Sequence, residues 1–264
     1  MPGPLRETAP PGSEKPKNND PGKPPGSLFS NTKLPAQLQK MKPRLTLAES
    51  TLPDGTVLGL HEHDGRKYLQ HESLQLAGPA TAASERELGR IACAPFRPVK
   101  QPRIRIVGLG LGEVLAGAME TLPQKKGIFM IAEPWQIVVE WHRRFIPDSP
   151  AIMDSRVEIE EDAGPASFHQ HDGTLNAVLL HADTAPSAEK GRGLFEDRRW
   201  LAAVHGALQP GGLLAIASSR PVPNIERSLS RAGFEVVRHE IDATPNARRP
   251  RRHFLWLARK GKSD

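Results

Sequence analysis

From Leu45 onward the chain alternates short apolar runs with turn residues, and the spacing of those turns separates two kinds of organisation. The first is a β-meander over residues 44–80. Leu45 to Leu52, Thr56 to His63 and Arg66 to Leu76 are β-prone runs broken by Pro53-Asp54-Gly55 and Asp64-Gly65, and Asp-Gly between alternating apolar residues is a strong hairpin signal. Next, Ser84-Glu85-Arg86-Glu87 has the cap and third-position acid of a capping box and predicts a helix running toward Pro95. After Pro102, apolar strands alternate with helical stretches. The strands are Ile104 to Gly108, Gly127 to Ala132, Arg156 to Glu160, Ala177 to Leu180 and Gly212 to Ala217, a pattern that predicts a parallel sheet covered on both faces. The end differs: a helix over about Asn224 to Ala232 stops at Gly233, and Phe234 to Ile241 and His253 to Leu257 follow with no helix between them, so they should pair antiparallel.

A mostly parallel seven-stranded sheet closed by a C-terminal antiparallel hairpin is the α/β fold of S-adenosylmethionine-dependent methyltransferases, a Rossmann-like fold that we place over residues 81–260. The small meander should pack beside it. Dinucleotide-binding domains usually continue with another parallel unit instead.

Composition changes this picture mainly at the start. Residues 1–43 are rich in Pro, Gly, Lys and Asn with almost no aromatic or β-branched residues. Such a segment cannot bury enough apolar surface to offset its ordering entropy, and is expected to be a disordered tail. The formal charge of +6 over 264 residues suggests a polyanion partner, but residues 1–42 hold seven Lys/Arg against three Asp/Glu, which is +4 in the tail alone. The remaining basic cluster is one short loop, Arg248-Arg249-Pro250-Arg251-Arg252, so the charge argues against a nucleic-acid partner. The single cysteine, Cys93, cannot form an internal disulfide, and the start Met-Pro-Gly-Pro-Leu-Arg lacks a secretory pattern, which points to the cytoplasm. No stretch approaches the roughly 20 apolar residues of a membrane helix, so no membrane role is expected.

The candidate chemistry lies at strand ends. The first strand runs into Gly108-Leu109-Gly110-Leu111-Gly112-Glu113, where glycines let the backbone turn tightly and approach a ligand. A dinucleotide fingerprint would need glycine at 113, and the charge of Glu113 would face a pyrophosphate unfavourably. An ordinary tight turn is the plainer reading of the same glycines. The second strand delivers Glu133 to the carboxyl edge, where a carboxylate can accept both ribose hydroxyls of an adenosine. After the third strand, Asp162 can accept the exocyclic amine of adenine or simply cap a helix. The fourth strand ends Leu180-His181-Ala182-Asp183-Thr184-Ala185-Pro186. His181 and Asp183 are the candidate reactive groups, the alternatives being a histidine satisfied by backbone and a helix-capping acid. Alkyl transfer from a sulfonium to an amine needs an acceptor for the amine's proton, and an acid or a histidine serves. His61-Glu62-His63 and His169-Gln170-His171 lack a third ligand nearby, so no metal is assigned. Phe195 and Trp200 should belong to the core.

Taken in order, these segments resemble the spermidine synthase (polyamine aminopropyltransferase) family over roughly residues 45–258. The resemblance rests on the meander ending Leu74-Gln75, the Gly-x-Gly-x-Gly turn, Glu133 and Asp162-Ala163. It continues through the loop after strand four and Leu208-Gln209-Pro210-Gly211-Gly212 before strand five. It implies that Gln75, Gly108, Gly110, Gly112, Glu133 and Asp162 contact decarboxylated S-adenosylmethionine or its methylthioadenosine product. It also implies that Asp183 or His181 occupies the catalytic loop and that the acceptor is a small-molecule amine. The family's Asp-Ser-Ser-Asp-Pro-like run is altered, with His181 and Thr184 at the two acid positions and Asp183 one place off. Its Asp-Glu-x-x-Tyr-His-Glu helix reads Ala83-Ser84-Glu85-Arg86-Glu87-Leu88-Gly89 here. Aminopropyl transfer leads. The alternatives are an S-adenosylmethionine-dependent small-molecule methyltransferase and a non-catalytic relic of the fold. A homodimer is compatible with any of them.

Overall fold

The computed structural model describes residues 43–183, 187–188, 192–243 and 251–261. Residues 1–42 of the expected tail, Thr184 to Pro186 and Arg248 to Pro250 lie outside the described residues.

The meander forms first in the chain, as β1 (Leu45–Thr51), β2 (Val57–His63), β3 (Arg66–His71) and β4 (Leu74–Ala77), an antiparallel sheet in that order. At the β2–β3 turn Asp64 and Gly65 both have positive φ (50° and 72°), the two-residue geometry that Asp-Gly was expected to supply. The run Arg66 to Leu76 proves to be two strands rather than one. Glu72 sits at φ 52° and its carboxylate accepts from Val57 N at 2.5 Å, so the chain turns there and β4 pairs back on β3.

Helix α1 (Ala82–Cys93) begins two residues before the expected cap. Ser84 is a buried helix residue and caps nothing. Its hydroxyl donates to Thr81 O (2.8 Å) and lies 2.7 Å from His253 Nδ1, because its face of the helix is turned into the core. Glu87, the expected partner in the box, pairs with Arg90 instead.

The α/β part continues β5 (Arg103–Val107), α2 (Glu113–Thr121), β6 (Ile128–Ala132), α3 (Gln136–Phe145), α4 (Pro150–Met153), β7 (Val157–Glu160) and β8 (Leu175–His181). A two-residue pair, β9 (Ser187–Ala188) and β10 (Arg192–Gly193), precedes α5 (Arg198–Ala207), β11 (Leu208–Ser218), α6 (Ile225–Arg231), β12 (Phe234–Asp242) and β13 (Arg252–Lys260). The seven-stranded sheet runs β12-β13-β11-β8-β5-β6-β7, parallel from β11 to β7, with β13 antiparallel to both β11 and β12. This is the S-adenosylmethionine-dependent methyltransferase fold.

The central strands are apolar on both faces because both are covered. Ile104, Ile106, Phe129, Ile131, Ala177 and Leu179 point into one core with α1, α2, α3 and the meander residues Leu58, Leu60 and Leu69. The alternate residues Val107, Met130, Val178 and Leu180 face a second core containing Phe168, Phe195, Trp200 and Leu229. Strand β11 starts earlier than expected, at Leu208. Pro210-Gly211-Gly212 interrupts its register between Leu208 and Leu213, and Gly211 is at φ 76°. Asp197 caps α5 by accepting from Arg199 N at 2.8 Å. Among the described residues, no helix is long and apolar enough to cross a membrane.

Candidate functional site

Strands β5, β6 and β7 are neighbours and parallel, so their carboxyl ends meet at one edge of the sheet. The ladder continues into the loops there: Gly108 N donates to Ala132 O (2.9 Å) and Glu133 N to Glu160 O (2.8 Å). The glycine turn, Glu133 and the loop carrying Asp162 are therefore brought to the same place by backbone pairing alone.

Gly108, Gly110 and Gly112 all have positive φ (84°, 56° and 88°), which explains why this turn is built from glycines. His142, buried on α3, braces it from behind with Nε2 3.0 Å from Gly110 O and Nδ1 2.7 Å from Ser149 Oγ. Burial lowers the pKa of His142, and its bond to the Gly110 carbonyl opposes this.

Glu133 is only 3% exposed. Its Oε2 accepts from Leu109 N at 2.8 Å and its Oε1 from Trp135 N at 2.9 Å, so the carboxylate ties the glycine turn to the start of α3. Burial pushes its pKa up to about 7, against the lowering effect of those two N–H donors. A carboxylate oxygen has room for more than one donor. The pair can thus hold the loop and still accept from a diol.

Asp162 is exposed, and its Oδ1 accepts from Gly164 N at 2.6 Å just before a short 3-10 turn (Pro165–His171). This is a turn contact ahead of the helix, whose N-cap Gly164 receives no side-chain cap, and the Asp162 carboxylate remains open to solvent. Two buried side chains fix its loop from beneath. Arg105 on β5 donates to Asp162 O and Ser167 Oγ (both 2.8 Å) and pairs with Glu160 (2.8 Å), while Trp200 Nε1 donates to Ala163 O at 3.0 Å. We expect Arg105→Lys to lower stability by about 1–2 kcal/mol, because an ammonium cannot make the forked contacts of a guanidinium. Urea unfolding of the variant checks this.

His181 ends β8 and Asp183 lies two residues beyond it. His181 is 1% exposed, and burial lowers its pKa to about 4, with His253 adding to the effect and Asp183 opposing it. Such an imidazole stays neutral at pH 7. Asp183 accepts from Ser219 N at 2.9 Å and from Ser218 Oγ at 3.4 Å, so it fastens the end of β11 and does not cap a helix. Thr184, matched to the family's second loop acid, is outside the described residues.

Gln75 on β4 is exposed and folds back over Gly78, where an added Cβ would lie 2.9 Å from its Nε2. Gly78 lines a cleft of about 490 Å³ that also meets Leu111 and Glu113 at the end of the glycine turn. Sequence reasoning missed one wall of this cleft, Glu85, which is 2% exposed on α1. Burial pushes its pKa up to about 7, with the charges of Glu113 and Asp183 adding to the rise and the Thr81 hydroxyl opposing it. The signal available in the sequence was an acid on a helix otherwise carrying Leu88, Ala92 and Cys93 inward, obscured by reading Ser84-Glu85-Arg86-Glu87 as a cap. Among the described residues, no group of three or more potential metal ligands occurs.

The sheet order and its covering helices define this chain as an α/β protein with the methyltransferase fold. Neither a family model nor a curated protein matches it, but solved structures narrow the description. The spermidine synthase from Thermotoga maritima is similar over 83% of this chain and 74% of that chain, at 15% identity and a TM-score of 0.64. A spermidine synthase in complex with the transition-state analogue AdoDATO gives 83%, 75%, 15% and 0.64. A probable spermidine synthase from Corynebacterium glutamicum gives 81%, 79%, 15% and 0.59. The chain therefore has a spermidine synthase-like fold.

Proposed function

We propose that the chain binds a nucleoside sulfonium at this edge and transfers an alkyl group from it to a small amine, the group being aminopropyl and the donor decarboxylated S-adenosylmethionine. One observation carries the reading: the glycine turn, the Glu133 carboxylate and the exposed Asp162 converge on one sheet edge, next to a strand that ends in His181, with Asp183 two residues beyond it. Glu133 would accept the ribose hydroxyls and Asp162 the adenine amine, while the positive-φ turn leaves backbone where a Cβ would block the nucleoside.

In the reaction a neutral amine attacks the carbon bonded to the sulfonium. The new C–N bond forms as the C–S bond breaks and its electron pair returns to sulfur, leaving a neutral thioether. The proton on the new ammonium passes to a nearby carboxylate or to solvent. His181, with its lowered pKa, is a poor final holder of that proton, so the proton passes on to solvent, and Asp183 would orient the amine at the β8 end.

Methyl transfer from S-adenosylmethionine is the second reading, favoured by His181 and Thr184 standing at the two loop-acid positions. A melting screen separates the cases. Methylthioadenosine and decarboxylated S-adenosylmethionine, each at about 100 times its dissociation constant, should stabilise the protein by about 2.7 kcal/mol. With all four compounds compared at one common concentration, a larger shift with S-adenosylmethionine and its homocysteine product would favour methyl transfer. Silence with all four compounds would leave only a non-catalytic relic.

A further inference from the structure

The first turn of α1 buries two polar residues, Ser84 and Glu85, which are 0% and 2% exposed. Ser84 is matched by His253 on β13. Glu85 is matched less well. The Thr81 hydroxyl serves it, but among the described residues its buried Oε1 has no hydrogen-bond partner. The charges that reach it are Glu113 at the start of α2 and Asp183 beyond β8, both of its own sign.

The bases on the surrounding elements are committed elsewhere. On α1, Arg86 pairs with Glu113 and Glu120 of α2, and Arg90 with Glu87. On the β2–β3 hairpin Lys67 pairs with Glu62 at 3.4 Å, and Arg66 is exposed to water. Burial holds His181 and His253 uncharged at pH 7, against the opposing charge of Asp183. Glu85 therefore fits this place as a neutral carboxyl. Burial pushes its pKa up to about 7, with Glu113 and Asp183 adding to the rise and the Thr81 hydroxyl opposing it. As an anion it is a buried charge facing two others of the same sign, and that cost is relieved only if the first turn of the helix moves into water.

We infer that α1 is a pH-sensitive clamp: as Glu85 loses its proton, the first turn of α1 lifts from the layers beneath it and opens the cleft of about 490 Å³ that it shares with Leu111 and Glu113 at the end of the glycine turn. The rest of the helix stays in place. Its backbone is in close contact with α2, Arg86 against Gly117 and Gly89 against Val114 and Ala118, and Cys93 at its far end is fully buried. Lifting the first turn breaks the bond from Glu85 N to Thr81 O and the contact between Ser84 and His253.

Hydrogen exchange of the ligand-free protein between about pH 5.5 and 8, corrected for the intrinsic rate at each pH and read by mass spectrometry over α1, tests this. Opening at the amides of Glu85 to Leu88 should rise about tenfold or more across that range and level off above about pH 7.5, while the amides after Gly89 change less. Glu85→Gln has no proton to lose and should make opening at those amides independent of pH. Glu133→Gln removes the other buried acid with a pKa near 7 and should leave the profile at α1 in place. Because an amide at 85 also alters packing, a carbon-13 titration of the wild-type Glu85 carboxyl is the second measurement, and its midpoint should lie well above the ordinary 4.5. A midpoint at that ordinary value, exchange at α1 that does not change with pH, or a profile that persists in Glu85→Gln or vanishes in Glu133→Gln would overturn the proposal. None of these readings uses a ligand, so they stand apart from the proposed alkyl transfer.

Discussion

Glu133→Gln is expected to reduce affinity for methylthioadenosine about 100-fold, a loss of about 2.7 kcal/mol. In the proposed binding mode the carboxylate has two tasks, and the amide can do neither in full. It accepts from Leu109 N and Trp135 N through separate oxygens. An amide has a single acceptor oxygen, so its NH2 must face one of those N–H groups, and a buried donor without an acceptor costs about 1–3 kcal/mol. The remaining loss comes from the ribose, whose hydroxyls would find one acceptor in place of two.

The pH dependence gives an independent check. In the free protein burial holds Glu133 near pKa 7, and the ionised form is the one that accepts from a diol. Affinity should therefore be level above about pH 7.5 and fall toward about tenfold for each unit below 7. Glu133→Gln should flatten that profile. Titration calorimetry between pH 5.5 and 8.5 in buffers of matched ionisation enthalpy reads it, and a wild-type affinity that rises on acidification would remove the ribose role of Glu133. The stability of the ligand-free protein runs in the opposite direction. A carboxyl whose folded pKa is raised contributes stability that is complete below about 4.5 and is lost as pH rises through about 7.

Gly89→Ala is expected to destabilise the protein by about 3 kcal/mol or more and to lower its melting temperature by about 6–12 °C. Helices α1 and α2 touch backbone to backbone at a glycine pair. A Cβ on Gly89 would lie 2.3 Å from Val114 O and 2.6 Å from Ala118 N, and one on Gly117 would lie 2.0 Å from Arg86 O. Backbone cannot move aside as a side chain can, so the helices must separate. Arg86 also bridges the two by pairing with Glu113 and Glu120, and that clamp would open. Because α2 begins at the glycine turn, separation should also weaken the proposed nucleoside binding there. Differential scanning calorimetry checks the stability, and an unchanged melting temperature would mean that the helices are not in this close register.

Much of this arrangement was legible in the sequence, and the reason is local. The Asp64-Gly65 turn, the glycine turn and the stop at Gly233 depend on backbone conformations that few residues adopt, so residue type and position are informative in themselves. The parallel strands were visible because burial on both faces demands uninterrupted apolar runs. Where a local signal was misread, a tertiary contact had taken the residue for another purpose. Ser84 looked like a cap and instead meets His253 across 169 positions of sequence. Leu74-Gln75 looked like the end of one long strand until Glu72 was drawn to Val57 N and turned the chain.

The sequence by itself determined the fold class, the order of strands and helices, and which strand ends carry acids, because these follow from periodicity and turn chemistry within short windows. Only the tertiary structure decided that Glu85 is buried in the wall of a cleft, that Arg105 and Trp200 hold the Asp162 loop from beneath, and that α1 lies against α2 at two glycines. Those facts depend on distances between residues far apart in the chain, and burial and charge proximity, which set the ionisation of Glu85 and Glu133, arise only once the layers have packed.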